Sequence, residues 1–308
     1  MMINVHDLVI DQYTLSKSNL LPEINIAFAI DQNYLKPCGI SIYSIMKNNS
    51  TTKIKFHIFT TFFDKTYFES FINENVSIEV YILKPDYFDS LQTTGHFTTA
   101  IYYRLSIAHI LKNKLKQVLY LDADILCTGS VKELINFDLS NKIIGAVQDS
   151  SMKLEDITSL GLSTNQTYFN SGVLLINIDA WIEAQIFEKF TQLINQKKYE
   201  YPDQDVLNII LKDQTYYLNE KFNYFSTKPI EPVFIHFVST PKPWSICAIN
   251  NEKYLEYYNK SPWRLEPLNA PRNYKEMKKY AKKLWSEGEF IASMKWFYTY
   301  TTEKFKTK

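Results

Sequence analysis

The sequence predicts an α/β protein in which a mixed, mainly parallel sheet is flanked by helices. Short apolar runs typical of buried strands recur at residues 24–30, 54–60, 76–83, 118–121, 143–147 and 172–178. Helical patterns lie between the earlier runs, at residues 37–47, 64–73 and 99–114. Strands that alternate with helices favour a parallel sheet. In such sheets ligands bind beyond the carboxyl ends of the strands, so polar residues that follow the apolar runs are the candidate site residues.

The composition indicates a globular protein with a sizeable core. The chain has 308 residues, of which 45% are hydrophobic, a length that suits one large domain with an appendage. Its formal net charge of +1 does not favour nucleic acid as a partner of the whole chain. Neither the glycine pattern of a dinucleotide fold nor that of a P-loop occurs, which excludes the common signatures of those two nucleotide sites.

The last part of the chain differs from the rest. Residues 272–308 contain ten Lys and Arg against four Glu, a net charge of +6, which leaves −5 for residues 1–271. A proline-punctuated connector precedes a helical pattern at residues 274–285 and an aromatic segment at 290–300. We therefore predict a catalytic domain at residues 1–262 and a helical basic and aromatic extension at 263–308. The extension either packs as helices with a solvated lysine face or attaches to an anionic membrane surface.

Cysteine usage and the lack of targeting patterns favour the cytoplasm. The three cysteines are widely spaced and form no CxxC pair, so neither a disulfide framework nor a structural zinc site is expected. The first residues lack a charged-then-apolar signal pattern, and no run of roughly 18 apolar residues occurs. We expect a cytoplasmic protein. The basic extension further suggests peripheral contact with the inner face of the cytoplasmic membrane.

Two acidic residues directly after a buried strand give the strongest local signal. The sequence VLYLDAD places Asp122 and Asp124 just beyond the apolar run at 118–121. Residues two apart in extended backbone point the same way, so both carboxylates can aim at one point. Hard oxygen ligands suit Mg²⁺ or Mn²⁺, which can bridge a diphosphate and neutralise a leaving group. The alternative interpretation is an ordinary solvated turn.

A third ligand candidate lies far downstream. His236 lies in an apolar run, and Lys242 follows six residues later in a loop flanked by prolines. A histidine beside two carboxylates favours Mn²⁺ over Mg²⁺, and a lysine can bind phosphate as a point charge. A core histidine with a satisfied ring is the usual interpretation of such a residue by itself.

Other polar residues next to strands are candidates for contacts with a nucleotide or sugar. Asp31 and Asn33 follow the first strand and can hydrogen-bond a base or ribose, or simply cap the next helix. Asn170 and Gly172 fit a position where backbone approaches a ligand closely.

The segment YPDQDVLN places Asp203 and Gln204 at a predicted helix start. Asp203 is either an N-cap or part of the site, and Gln204 is a candidate to face a sugar. Asp149 follows the strand at 143–147 and joins this group of candidates.

Taken together, these motifs resemble glycosyltransferase family 8, and in particular its lipopolysaccharide-core glucosyl- and galactosyltransferases. The matching segments occur in the order of the family and span residues 26–244: FAIDQNY, YYRL, VLYLDADILCTGSV, GAVQD, YFNSGVLLINIDAW, YPDQDVLN and HFVSTPKPW. The segment SPWRLEPLNAPRNYKEMKKYAKKLW resembles the C-terminal extension of the same enzymes. One departure is Ser239, where family members often have glycine close to a phosphate.

The resemblance implies a GT-A fold, a Rossmann-like nucleotide-sugar-binding architecture, with a UDP-hexose donor and retention of anomeric configuration. It implies a metal site for Mn²⁺, or for Mg²⁺ as the second choice, with the ligands Asp122, Asp124 and His236. It implies donor contacts to uridine, diphosphate and sugar from Ala29, Asp31, Asn33, Arg104, Asp122, Ala123, Asn170 and Lys242. It also implies catalytic or orienting roles at the transferred hexose and the acceptor for Gln204, Asp203 and Asp149.

The resemblance leaves the donor as UDP-glucose or UDP-galactose and the acceptor as the core or outer chain of lipopolysaccharide or lipooligosaccharide. Two alternatives stay within the transferases: action on another surface glycan or glycoprotein, and self-glucosylation. Two others belong to different classes: a DxD-type metal-dependent phosphohydrolase, and a sugar-nucleotide-binding module without catalysis. Because the amide of Gln204 is a poor nucleophile, attack on the same face as the departing phosphate is preferred to double displacement.

Overall fold

The computed structural model describes residues 4–17, 19, 21–94 and 98–306. By the density of their contacts the residues fall into two compact units, Met1–His236 and Phe237–Lys308. The predicted division between residues 262 and 263 stays a prediction.

The described residues of the first unit form a sheet-based α/β structure. Its strands are β1 (Val9–Leu15), β2 (Ile24–Ile30), β3 (Ile54–Thr60), β4 (Val76–Leu83), β5 (Gln117–Leu121), β6 (Ile125–Cys127), β7 (Ile144–Gln148), β8 (Phe169–Asn177), β9 (Thr215–Tyr217) and β10 (Phe234–His236). Its α-helices are α1 (Val5–Leu8), α2 (Leu35–Asn48), α3 (Ile107–Leu111), α4 (Leu154–Ser159), α5 (Ile178–Glu183), α6 (Ile186–Ile194) and α7 (Pro202–Leu211).

Eight of these strands form one mixed sheet in the order β1-β4-β3-β2-β5-β8-β7-β9. The neighbours β4, β3, β2 and β5 are parallel, as are β7 and β9, whereas β8 runs antiparallel to both β5 and β7. The parallel strands are buried along most of their length, as expected where helices cover both faces. The predicted α/β class with a mainly parallel mixed sheet is confirmed.

A second, two-stranded sheet lies at the end of the DxD segment. Strand β6 begins at Ile125, one residue after Asp124, and pairs antiparallel with β10. In this register His236 lies opposite Ile125. The pairing therefore carries His236 to the acidic pair from more than a hundred residues along the chain.

All six predicted strands are found: β2, β3 and β4 keep their predicted ends, β5 begins one residue earlier, β7 is displaced by one residue, and β8 differs most. Strand β8 begins at Phe169 rather than at residue 172, and residue 178 already belongs to helix α5. The edge strand β1 was not predicted, because its sequence VIDQYTL has no buried residue and hence no apolar run. It is held by backbone pairing with β4, a contribution that a hydrophobic pattern does not reveal.

Two of the predicted helices were wrong in type or extent. Residues 64–73 contain only a 3₁₀ turn at Glu69–Phe71, with Phe68 and Phe71 buried three residues apart. Residues 99–114 begin as a 3₁₀ helix at Thr99–Ser106 and continue as α3. Within that segment the Nε–H of Arg104 donates to the Ile101 carbonyl, an acceptor that an α-helix would use for its own backbone ladder.

The core of the first unit lies against the strands that lead to the site. Large side chains such as Tyr102, Phe169, Trp181, Phe187 and Phe190 are fully buried in one cluster. Burying a side chain of this size stabilises the fold by about 1.5–3 kcal/mol each. The packing fixes β5, β8 and the start of the segment around Arg104, so the polar residues at their ends are held on rigid elements.

The second unit contains three α-helices in its described part, α8 (Glu252–Tyr258), α9 (Tyr274–Ser286) and α10 (Phe290–Lys306). The Asn273 side chain caps α9 by accepting from the Glu276 N–H at 3.0 Å, and Gly288 turns the chain at φ +84° between α9 and α10. The predicted helix at 274–285 is confirmed, and the aromatic segment after it is helical. Among the described residues, no helix is long and apolar enough to cross a membrane.

Candidate active site at the carboxyl ends of the strands

The structure brings together the three predicted metal ligands. One ligand atom each from Asp122, Asp124 and His236 lies within 4.8 Å of the other two. The Nε2 atom of His236 is 3.2 Å from Asp124 Oδ1 and 3.9 Å from Asp122 Oδ2. Asp124 and His236 are buried, whereas the Asp122 side chain keeps 23% of its surface exposed. The cluster is thus held by the protein on one side and open to a ligand on the other.

The tautomer of His236 can be assigned from the hydrogen bonds behind it. The Gly172 N–H donates to Asn170 Oδ1 at 3.0 Å, and a backbone N–H can only donate. The same oxygen accepts from Asn223 Nδ2 at 2.8 Å, which leaves Asn223 Oδ1 facing His236 Nδ1 at 2.9 Å. His236 therefore carries a proton on Nδ1, which leaves Nε2 as the ring nitrogen that faces the carboxylates.

This assignment fits a divalent cation. Nε2 and the oxygens of two carboxylates converge on one point, and with Nε2 unprotonated they form a set of electron-pair donors suited to a cation. Two carboxylate oxygens and one imidazole nitrogen suit Mn²⁺, and the hydrogen bond on Nδ1 is the usual support of a metal-ligating histidine. Asn223 was not among the predicted site residues, and the sequence offers no signal for it because asparagine is common in turns.

A buried arginine anchors the acidic pair from the other side. Arg104 Nη2 lies 2.9 Å from Asp122 Oδ1, and Arg104 Nη1 lies 3.1 Å from Asp203 Oδ2. The Tyr120 hydroxyl donates to the same Asp122 oxygen, and its ring lies 4.7 Å from the guanidinium carbon. Tyr120 was also missed, although it precedes Asp122 by two residues and so lies on the same face of the strand.

In this cluster, burial and the neighbouring charges act against each other on each pKa. Burial alone would lower the pKa of Arg104, but Asp122 and Asp203 raise it above its ordinary value. Burial raises the pKa of Asp122, and Arg104 opposes that rise. Arg104 therefore stays charged and stabilises the carboxylate form of a metal ligand.

The strand that carries Gly172 is irregular at the site. The register between β7 and β8 shifts between Ala146 and Val147, so residues 171–173 of β8 bulge out of the ladder. Within the bulge, Ser171 N–H donates to Gln204 Oε1 at 3.0 Å, and the Ser171 carbonyl accepts from Arg104 Nη1 at 3.0 Å. The bulge therefore connects the arginine with the first turn of α7.

The predicted sugar-side residues meet around this bulge. Gln204 Nε2 donates to Asp149 Oδ2 at 3.3 Å, and Asn170 Nδ2 reaches the same oxygen at 3.5 Å. Asp203 lies inside α7, which begins at Pro202, so the interpretation of Asp203 as an N-cap was wrong. The interactions form a closed ring, listed from the metal cluster outward as Asp122, Arg104, Asp203, Ser171, Gln204, Asp149, Asn170, Asn223 and His236.

The predicted uridine contacts lie at the end of the neighbouring strand. Strands β2 and β5 are parallel, so Asp31 follows β2 at the same edge of the sheet as Asp122 follows β5. Asp31 Oδ1 accepts from the Asn33 N–H at 2.9 Å and caps the 3₁₀ turn Gln32–Tyr34, as the capping alternative predicted. Ala29 lies near the end of β2 and is partly buried, and Ala123 lies in the turn between β5 and β6 and is buried. Their roles toward a nucleotide stay predictions.

Lys242 belongs to the second unit, where its Nζ donates to the Phe237 carbonyl at 2.7 Å. Ser239, the position that departs from the family pattern, is exposed in the same loop. The predicted role of Lys242 toward a diphosphate stays a prediction.

Gly172→Ala is expected to disable the metal cluster. A Cβ at this position would lie 2.3 Å from His236 Cε1 and 3.0 Å from Asp122 Oδ2, so the imidazole has to move. We expect Mn²⁺ affinity, measured by electron paramagnetic resonance of free Mn²⁺, to fall at least about tenfold. Gly161→Ala has open space around its Cβ and a positive φ, so it tests backbone strain without this clash. Unchanged Mn²⁺ binding in Gly172→Ala would contradict the assigned geometry.

Asn223→Ala is expected to weaken Mn²⁺ binding about 10–100-fold, because the acceptor that fixes the Nδ1 proton is lost. Asn223→Asp keeps an acceptor at that position and should retain more affinity than the alanine variant. The same Mn²⁺ titration, run beside a circular dichroism spectrum to verify folding, separates the two variants. Equal loss in both would show that the asparagine acts through packing alone.

Known proteins with similar sequences belong to the family that the motifs of the site resemble. The model of "Glycosyl transferase family 8" matches residues 25–248, and that of "Glycosyl transferase family 8 C-terminal" matches residues 251–304. The chain is 33% identical to lipopolysaccharide glucosyltransferase WaaO of Escherichia coli K12, over 92% of this chain and 91% of that one. It is 31% identical to the lipopolysaccharide 1,3-galactosyltransferase of Salmonella typhimurium LT2, over 95% and 94% respectively.

A solved structure shows the same fold. The galactosyltransferase LgtC, crystallised with donor and acceptor sugar analogues, superposes with a TM-score of 0.69 at 25% identity, over 78% of this chain and 96% of that one. This likeness confirms the predicted GT-A fold, and the phosphohydrolase alternative finds no support in any of these matches. The chain belongs to glycosyltransferase family 8, with its C-terminal family domain at residues 251–304.

Proposed function

We propose that this glycosyltransferase moves glucose or galactose from a UDP-sugar to a saccharide of the core or outer chain of lipopolysaccharide or lipooligosaccharide, with retention of configuration. The proposal is supported by the relatives, whose names state lipopolysaccharide glucosyl and galactosyl transfer. The observation that carries it is the convergence of Asp122, Asp124 and His236 beside the ring of polar residues around Gln204.

The acidic pair and His236 are the residues to hold Mn²⁺, with Mg²⁺ as the second choice because of the histidine nitrogen. When bound, the cation supplies charge neutralisation for a diphosphate leaving group. Arg104 keeps Asp122 ionised and correctly oriented for this ligation. Lys242 is proposed to add a positive charge at the diphosphate, and Ala29, Asp31, Asn33 and Ala123 to contact the nucleoside.

The remaining ring residues are proposed to surround the transferred hexose. Asn170, Asp203, Gln204 and Asp149 are buried polar side chains, and buried polar groups confer specificity for sugar hydroxyls. Asp203 is paired with Arg104, which makes it a poor nucleophile. The Gln204 oxygen accepts from Ser171 and is an amide, so it also lacks nucleophilic character. These residues therefore favour orientation of the hexose and attack of the acceptor on the face from which the phosphate departs.

We also propose that the protein acts in the cytoplasm, in peripheral contact with the inner face of the membrane through the C-terminal extension. The support is the exposure of apolar side chains on α10, among them Ile291, Met294, Tyr298 and Phe305, in a segment rich in lysine. An amphiphilic acceptor embedded in that membrane would be reached by such a contact.

Donor binding should raise the melting temperature only when metal is present. With UDP-glucose or UDP-galactose at about 100 times its Kd plus Mn²⁺, stabilisation is expected near 2.7 kcal/mol, which corresponds to several degrees. One of the two sugars should give the larger shift and so identify the hexose. Asp124→Ala removes a metal ligand, and we expect it to lose both the shift and transfer; a wild-type rate in this variant at saturating Mn²⁺ would sink the assignment.

Gln204→Ala distinguishes an orienting role from a nucleophilic one. Loss of an orienting amide is expected to lower kcat by about 10–100-fold while the product keeps the retained anomer, measured by proton NMR of the glycoside. Loss of a nucleophile would cost about 10⁴-fold or more. The exposed Gln196→Ala serves as the control for removal of an amide elsewhere on the surface.

A further inference from the structure

A trough on the second unit is the strongest candidate for a ligand site outside the donor site. Two cavities, of about 330 and 630 Å³, share Lys279 and Lys282 in their walls. The two adjoining cavities are together called the trough, and both volumes lie within the size range of ligand pockets. The two cavities differ in chemistry.

The smaller cavity is cationic. Its lining consists of five lysines and two tyrosines and contains no acidic residue; two of the lysines are Lys275 and Lys278. The nearby acids are turned to other partners: Glu276 accepts from the Arg272 N–H at 2.8 Å, and Glu303 accepts from Lys306 at 2.7 Å. Among the described residues, no ion pair joins a carboxylate to Lys275, Lys278 or Lys282.

The lysines of α9 divide into two sets with different roles. Lys279 and Lys283 donate to backbone carbonyls of the preceding loop, at Thr240 for the first and at Ile246 and Ala248 for the second. In contrast, Lys275 and Lys282 have no hydrogen-bond or ion-pair partner among the described residues, and Lys278 lies 5.4 Å from the Tyr300 ring centre. Like charges three and four residues apart destabilise a helix, so a bound anion would stabilise this face.

Apart from Lys279, Lys282 and Lys283, the larger cavity is lined by neutral and apolar groups. Phe237, Pro241, Pro243 and Ile249 supply apolar surface, and Asn250 supplies an amide. Apolar rings and prolines with a few amides suit the faces and hydroxyls of a sugar ring. The two lysines that it shares with the smaller cavity place positive charge at one end of this surface.

We propose that this trough binds a saccharide that carries phosphate groups, with the sugar in the larger cavity and the phosphates among Lys275, Lys278 and Lys282. The proposal rests on the proposed function, because it assigns a phosphorylated glycan as the acceptor class. Its geometry is independent of the metal cluster, since every lining residue belongs to the second unit. A concave site of this size fits a compact phosphorylated sugar better than a flat bilayer surface does.

The test is calorimetric titration of the full-length protein in EDTA, which silences metal-dependent donor binding. The probes are glucose 1,6-bisphosphate, inorganic pyrophosphate and glucose, and we expect affinity to decrease in that order. The triple variant Lys275→Gln, Lys278→Gln, Lys282→Gln should weaken binding of the bisphosphate by about tenfold or more, since charge-assisted hydrogen bonds are lost. The matched variant Lys253→Gln, Lys260→Gln, Lys295→Gln removes the same charge outside the trough and should change binding less than about twofold. Equal loss in both variants would overturn the proposal.

Ser286→Trp tests the saccharide part separately. Ser286 is an exposed wall residue of the larger cavity, so the indole should reduce binding of glucose 1,6-bisphosphate but leave binding of pyrophosphate unchanged. An unchanged preference for the bisphosphate would refute a sugar in that cavity.

The last experiment measures binding of the protein to phosphatidylcholine vesicles with and without phosphatidylglycerol. Lysine-dependent binding to the anionic vesicles without binding of any soluble phosphate would assign the trough to lipid headgroups and overturn the saccharide. Mn²⁺-dependent UDP-sugar binding, measured in the same triple variant, should equal the wild type. If the wild type also shows no Mn²⁺-dependent binding of UDP-sugar, the proposed donor function is wrong, and this result is independent of what the trough binds.

Discussion

One backbone amide determines the chemistry of the candidate active site. The N–H of Gly172 can only donate, and through Asn170 and Asn223 it forces the proton of His236 onto Nδ1. Nε2 is then the ring nitrogen that faces the two carboxylates and is free to bind a metal ion there. Because a Cβ at residue 172 would collide with the ring, the glycine is required for space as well as for its amide. The candidate metal ligands and the residues proposed to face the sugar are therefore parts of one hydrogen-bonded structure.

That structure depends on the antiparallel strand within a mostly parallel sheet. Strand β8 lies between β5 and β7, so its bulge at residues 171–173 faces the DxD segment on one side and α7 on the other. A regular strand would alternate its side chains across the sheet. The bulge instead lets Asn170 and Ser171 both turn their polar groups toward the site. An irregular register at the end of a buried strand thus brings these polar groups together at the candidate site.

The sequence was sufficient for the residues whose chemistry follows from strand ends and motifs, and insufficient for those that support them. Asp122 and Asp124 were predicted from an apolar strand and a two-residue period, and His236 from its type and setting. Asn223 was not predicted as a site residue, because an asparagine between aromatic residues has no periodic or motif signature. The edge strand β1 was missed for a related reason: it is stabilised by backbone pairing with β4 and has no apolar pattern to detect. The position of Asn223 and the formation of β1 are both determined by contacts between residues far apart in the sequence, rather than by local conformational preference.

The balance of charge relates the candidate metal cluster to the ring of polar residues beside it. The ring and the cluster contain four carboxylates, from Asp122, Asp124, Asp149 and Asp203, against the single guanidinium of Arg104. Buried charges are tolerated only when they are compensated, and one cation cannot balance four anions. Hydrogen bonds from Ser151, Asn170 and Gln204 support Asp149, and Arg104 pairs with Asp122 and Asp203. The deficit then falls on Asp122 and Asp124, at the point that His236 Nε2 also faces. A divalent cation bound at that point would offset most of the remaining negative charge, on the side where Asp122 is partly exposed.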